Sequence, residues 1–177
     1  MSLVALVRID DRLIHGQVVV KWVRYLDCDR ILIVDDALWR DEFMRSVLRL
    51  AAPAGVHVQV TSVQGAASCL GVLASRVDGE KALETSAQDN AGSGRTLVLV
   101  RSPQVALALL ENGFAYKELN VGGLASGEGT VRLHKSVSAS SEQIAALHAI
   151  RAKGVQVYFQ TVPEERRVEL PESLPVR

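Results

Sequence analysis

The stretch "LVALVRIDDRLIHGQVVVKWVRYL" (residues 3–26) decides the fold. It opens with a short, continuous apolar run, "LVALVR" (3–8), of the kind that forms a strand buried on both faces. It then changes character. Residues 9–16 carry two aspartates, an arginine, a histidine and a glycine, and residues 17–26 are valine-rich and long enough for a helix. Strand, charged loop, helix is the opening of an α/β unit.

The same rhythm continues along the chain. "RILIVD" (30–35), "VHVQVTS" (56–62), "TLVLVR" (96–101), "ELNVGG" (118–123) and "VQVYFQTV" (155–162) read as strands. Helical patterns lie between them. "LWRDEFMRSVLRLAA" (38–52) spaces Phe43, Met44, Val47, Leu48 and Ala51 as one apolar stripe. "PQVALALLENG" (103–113) begins with proline and ends with glycine. "SSEQIAALHAIRAKG" (140–154) opens with a capping box from Ser140 to Gln143 and closes at Gly154. The expectation is a single α/β domain over 1–162, with an open, mostly parallel sheet and helices on both faces. Residues 76–95 are polar and glycine-containing, and read as a flexible surface insertion. Residues 163–177 hold three prolines and dense charge, and read as a loosely packed C-terminal tail.

Twenty basic residues balance twenty acidic ones. No general attraction to nucleic acid or to an anionic membrane follows, so any basic site is local. The first apolar run is too short for a signal peptide or a membrane span, which points to a cytosolic protein. Cys28 and Cys69 have no metal spacing and read as buried free thiols in a reducing compartment. His57, His134 and His148 have no ligand spacing either, and His134 in "VRLHKSVS" reads as part of a short exposed strand or hairpin. No nucleotide-binding glycine motif is present, and neither a metal nor a cofactor is implied.

The first loop concentrates the chemistry. Open α/β sheets bind ligands beyond the carboxyl ends of their strands. A helix starting near residue 16 would offer backbone N–H groups and a positive dipole end to an anion. Arg8 and Arg12 could add guanidinium forks, and Gly16 a close backbone approach. His15 would be a nucleophile inside this cradle, hence a candidate phosphoryl acceptor. An ordinary loop histidine among local turn hydrogen bonds is the competing account. Asp10 and Asp11 would orient the loop, because carboxylates aimed at a phosphoryl group would repel it.

Asp35 and Asp36 invite comparison with the acidic pair of a response-regulator receiver. There the pair follows the first strand and an acid ends the third; here the pair follows the second strand and the third ends "VTS". Asp35 is better placed to cap the next helix or to line the cleft edge. "NVGGLASGEG" (120–129) is either a glycine-rich turn or a cleft wall built from Asn120, Gly122 and Gly123 beside the first loop.

"RIDDRLIHGQV" (8–18) resembles the active-site loop of the IIB component of the mannose/fructose/sorbose family of the phosphoenolpyruvate-dependent sugar phosphotransferase system. "RILIVDDAL", "LRLAAPAGVHVQV", "ELNVGGL" and "SVSAS" resemble further segments of that family. The resemblance implies that His15 accepts a phosphoryl group from a phosphorylated IIA protein, with Arg8, Arg12 and Gln17 as cradle. It also implies transfer to a sugar delivered by membrane IIC and IID components, beside which the protein would work peripherally. The insertion at 76–95 departs from the family pattern. With no IIA domain expected ahead of the first strand, the donor would be a separate protein. A regulatory phosphoprotein, whose partner binding depends on His15 phosphorylation without a sugar acceptor, is the alternative.

Overall fold

The computed structural model describes residues 3–75 and 94–172. Its elements are β1 (Leu3–Asp10), α1 (Gly16–Leu26), β2 (Arg30–Val34), α2 (Asp36–Arg40), α3 (Glu42–Leu50), β3 (His57–Thr61), α4 (Val63–Ser75), β4 (Arg95–Val100), α5 (Pro103–Glu111), β5 (Glu118–Gly123), β6 (Val131–His134), β7 (Val137–Ala139), α6 (Ser141–Ala152), β8 (Gln156–Phe159) and β9 (Val168–Glu169). Seven strands form one sheet in the order β3-β2-β4-β1-β5-β8-β9. All neighbours pair in parallel except the terminal β9, which runs antiparallel to β8. The α/β class and the largely parallel sheet agree with the sequence reading.

Two cores lie on opposite faces of the sheet. On one face Val7, Ile9, Val98 and Val121 pack under Ala66 of α4, Ala106 and Leu109 of α5, and Leu147 and Ile150 of α6. On the other, Leu6, Ile31, Ile33 and Leu99 pack under Val19, Trp22 and Val23 of α1 and Leu48 of α3. The central strands are buried throughout, which is why they read as unbroken apolar runs rather than alternating ones.

This arrangement places a site. β1 and β5 are neighbours, yet β1 leads into α1 on one face and β5 leads, through the β6–β7 hairpin, into α6 on the other. Chains leaving adjacent strands toward opposite faces open a crevice at their carboxyl ends. The loop containing His15 leaves β1 there.

Four local readings are corrected. The stripe at 38–52 is two helices, because Asp41 breaks it: its carboxylate accepts the Met44 N–H and starts α3 afresh. That helix turns Leu48 inward and leaves Phe43 (75 %) and Leu50 (87 %) exposed, with Trp39 and Val47 beside them. The tail is not loose as far as residue 172: β9 extends the sheet, Leu170 is buried, and the Arg167 guanidinium lies 4.3 Å from the centroid of the Tyr158 ring. Cys28 is buried as expected, but Cys69 is half-buried. Helix α4, a run of small residues, was not anticipated. Ser62 starts it by accepting the Gly65 N–H at 3.1 Å. Residues 76–93 of the expected insertion lie outside the described residues.

Candidate active site

β1 runs two residues further than its apolar run suggests, through Asp10. Period-2 alternation then sends Arg8 to the same face as Leu6, into the core beneath Trp22. Arg8 is 1 % exposed. Its Nη1 donates to the Asn120 side-chain carbonyl and to the Gln160 carbonyl oxygen (3.1 Å). Its Nη2 donates to Asp10 Oδ2 (2.9 Å) and the Thr161 carbonyl oxygen (3.2 Å), and the Trp22 ring centroid lies 5.3 Å away. Burial pulls the Arg8 pKa below its ordinary value, and the Asp10 carboxylate opposes that pull. The expectation of Arg8 as an exposed anion-binding fork is therefore corrected. Its Nη donors are committed to the protein interior, where they tie the end of β1 to the ends of β5 and β8, while Nε is buried with no partner among the described residues.

Asn120 and Gly122 belong to the same correction. Asn120 is fully buried, receiving the Arg8 donor and giving its own N–H to the Gln160 carbonyl oxygen at 3.1 Å. A Cβ on Gly122 would overlap the Arg8 guanidinium. Both residues seat Arg8 rather than line a cleft. Asp35 caps α2, accepting the Ala37 and Leu38 N–H groups at 2.9 Å.

Asp10 is buried and holds the loop from below. One oxygen takes Arg8. The other, Oδ1, accepts the Arg12 backbone N–H and Nε–H, both at 3.3 Å, and lies 3.7 Å from His15 Nδ1. Asp11 accepts the Ala125 N–H at 2.7 Å and donates its own backbone N–H to the Gly123 carbonyl oxygen at 3.1 Å. The loop is thus stitched to the chain leaving β5. Leu13 then turns through a left-handed conformation (φ +55°) while its side chain is buried. Such a backbone costs on the order of 1 kcal/mol or more for a non-glycine residue and persists only where packing enforces it.

That turn aims the Leu13 carbonyl at His15, whose Nδ1 sits 3.1 Å from the oxygen. A carbonyl only accepts, so Nδ1 carries a hydrogen in this conformation. His15 is the N-cap residue of α1 but its side chain makes no capping bond, and Gly16 follows at φ +45°. The imidazole is partly exposed, while its Nε2 is buried with no partner among the described residues. Arg12 is half exposed and faces solvent beside it. The Gln17 side chain lies outside the described residues.

A polar cleft of about 260 Å³ opens next to Arg12. Gly123 lines it, together with Arg132, Lys135, Ser136 and Ser138 of the β6–β7 hairpin. The sequence reading missed these hairpin residues, as it missed Gln160 and Thr161, whose carbonyls hold Arg8. The signal for Gln160 and Thr161 was their place just past the end of a strand adjoining β5. For the hairpin, the local signal was "RLHKS", two cations in a short exposed turn. Among the described residues no cluster of histidines, cysteines or carboxylates could hold a metal ion, and no helix is long and apolar enough to cross a membrane.

The model of the sorbose-subfamily IIB component of the phosphotransferase system matches residues 4–176. The chain belongs to this IIB family. The sorbose-specific EIIB component of Klebsiella pneumoniae is 30 % identical over 171 residues, which span 97 % of this chain and 94 % of that one. The fructose-specific EIIB component of Bacillus subtilis is 29 % identical over 93 % of this chain and 91 % of its own length. The mannose-specific EIIAB component of Escherichia coli matches 94 % of this chain at 28 % identity, but with only 47 % of its own length. Among solved structures, the IIB domain of the Klebsiella pneumoniae sorbose permease superposes with a TM-score of 0.75 at 30 % identity, covering 94 % of this chain and 92 % of that one. The fold and the family thus rest on nearly the whole IIB chain rather than on the loop motif.

Proposed function

We propose that this IIB chain carries a phosphoryl group on His15, received from a phosphohistidine of a IIA protein and passed to a hydroxyl of a sugar presented by membrane IIC and IID components. The observation that carries the reading is the placement of His15. It is a partly exposed imidazole at the start of α1, in the β1–β5 crevice, on a loop fixed by Asp10 and Asp11.

In the first step a ring nitrogen forms a bond to phosphorus as the phosphorus–nitrogen bond of the donor breaks, and the donor ring keeps the electron pair. In the second, a sugar oxygen forms the new bond, His15 leaves as the free imidazole, and the hydroxyl proton passes to a base or to water. Nδ1 rests on the Leu13 carbonyl and Nε2 is buried, so the ring must turn before either nitrogen meets the donor. The Arg12 guanidinium, half exposed beside the ring, supplies charge-assisted hydrogen bonds to the transferring oxygens. The α1 N-terminus adds its dipole.

The test is incubation with phosphoenolpyruvate, enzyme I, the phosphocarrier protein and a cognate IIA, followed by mass spectrometry of the phosphopeptide. Label on His15, absent from His15→Ala, is expected. Label mapped to His57, His134 or His148, or full labelling of His15→Ala, would refute the assignment. Membranes carrying IIC and IID then test the second step. Loss of label without sugar phosphate would favour a regulatory phosphoprotein.

A further inference from the structure

We propose that the β6–β7 hairpin supplies further cations to the phosphoryl site, with Arg132 and Lys135 of the cleft that Arg12 also lines holding the phosphoryl dianion during transfer. The inference rests on the His15 reading and extends it to residues outside the loop.

It begins from a shortage of charge. A phosphoryl group in transfer spreads its negative charge over three oxygens and calls for several cations. Arg8 is sealed in the core with its Nη donors committed to Asp10, Asn120, Gln160 and Thr161. Arg12 is the loop's remaining arginine, and it is shared between Asp10 (3.3 Å) and Asp11 (4.0 Å). One partly neutralised guanidinium is a thin cradle for a dianion.

The hairpin fills the gap. Leu124, just past β5, donates its N–H to the Ser136 carbonyl oxygen and accepts the Ser138 N–H, at 3.0 and 2.9 Å. Asp11 and its neighbours clamp the histidine loop to the same short segment, through Gly123 and Ala125. The histidine loop and the hairpin are therefore fixed to one stretch of backbone, residues 123–125. Ser136 Oγ further ties the hairpin to the Gly122 carbonyl oxygen (2.8 Å) and to Thr161 Oγ1 (2.8 Å).

Arg132 is exposed, pairs across the hairpin with Ser138, and its side chain engages no partner among the described residues. Lys135 is exposed and reaches Glu165 at 3.3 Å, a surface pair worth little and easily exchanged for an anion. Asp11, the acid in the lining, has one oxygen taken by the Ala125 N–H. The lining thus holds three cations against one carboxylate, with Ser126, Ser136 and Ser138 between them. The link to the reacting ring is Asp10 Oδ1, which contacts both Arg12 Nε and His15 Nδ1. Arg12, which lines the cleft, and His15, which does not, therefore share one carboxylate oxygen.

Arg132→Gln, Lys135→Gln and the double variant test this, since all three change exposed side chains and leave the hairpin's backbone bonds in place. Two arms are read. In the first, inorganic phosphate is titrated into the unphosphorylated protein and followed by NMR. Shifts at Arg12, Arg132 and Lys135 are expected, with affinity at least several-fold weaker in the double variant. Shifts confined to the His15 loop, or equal affinity in the double variant, overturn the proposal whether or not His15 is a carrier. In the second arm, phosphorylated IIA is the donor. The double variant should lower kcat at least tenfold with little change in the KM for the donor, and the ³¹P resonance of the phosphohistidine should titrate at higher pH than in wild type. A raised KM with unchanged kcat and an unchanged ³¹P titration would show that the hairpin only docks the donor, and overturns the assignment. If wild type takes no label on His15, the carrier reading itself fails and the phosphate arm alone decides the cleft.

Discussion

Gly122 lies flat against the Arg8 guanidinium: a Cβ at position 122 would fall on its central carbon and both terminal nitrogens. The strand β5 is therefore glycine at this point so that a cation from β1 can pass beneath it. Gly122→Ala should displace Arg8 and strip Asp10 of its buried cation, leaving it only the half-exposed Arg12. Uncoupling a buried ion pair costs about 3–5 kcal/mol. A large drop in the urea midpoint is expected for Gly122→Ala and for Arg8→Ala alike. Their double mutant should lose much less than the sum, because the steric conflict vanishes with the arginine. Full additivity, or wild-type stability of Gly122→Ala, would refute the relationship.

Arg12 gives the opposite expectation. It is half exposed and its ion pairs with Asp10 and Asp11 are at 3.3 and 4.0 Å. Exposed pairs contribute about 0–1 kcal/mol to folding. A charge-assisted donor to a transferring group is worth roughly 10²–10³ in rate. Arg12→Ala should keep its melting temperature within a few degrees and slow IIA-to-His15 transfer about a hundredfold in a single-turnover measurement. A destabilised variant with intact transfer would make Arg12 a structural residue.

The contrast between these two arginines shows how far the sequence could be read. Both flank the same loop, and nothing in "RIDDR" distinguishes them except where the strand ends. Two extra strand residues turn Arg8 into a core side chain, and strand ends are the least legible part of a pattern. The parallel sheet was legible because Val98, Leu99 and Val121 sit in runs buried on both faces. Helix α4 was not, because "VQGAASCLGVLAS" is small and mildly apolar all round, with no face to recognise. β9 lies in a proline-flanked polar segment whose pairing depends on β8 being close in space, a relationship the local pattern does not carry. The hairpin wall of the cleft depends likewise on the chain's return past residue 124.

Helix α3 tests a finer misreading. The spacing of Phe43, Val47 and Leu48 marks an apolar stripe but not which part of it meets the sheet. The structure buries Leu48 and exposes Phe43 and Leu50. Leu48→Ala should cost about 2–5 kcal/mol, as buried truncations do. Phe43→Ser and Leu50→Ser should stay within about 0.5 kcal/mol of wild type in denaturant titrations. A loss at Phe43 or Leu50 comparable to that at Leu48 would mean that the helix face is covered in the folded protein.

Alkaline pH should reveal the buried thiol and phenols. Burial pushes the Cys28 thiol from 9.0 up to about 12 and the Tyr158 phenol from 10.0 up to about 12, and Tyr116 is raised as well while its hydroxyl donates to the Ala106 carbonyl oxygen at 2.7 Å. The sign follows from which state holds the protons. The folded protein keeps these groups neutral, whereas the unfolded chain releases the protons above its ordinary values of 9.0 and 10.0. Folding stability is then fully present below about pH 9 and falls as pH rises toward 12, by about 1.4 kcal/mol per pH unit for each proton released only on unfolding. The urea midpoint should be level between about pH 7 and 8.5 and decline steadily above. Cys28→Ala should make the first part of that decline shallower, leaving the tyrosine contribution at higher pH. A midpoint that stays level to about pH 11 would show that Cys28 and Tyr158 ionise within the fold as freely as in the open chain.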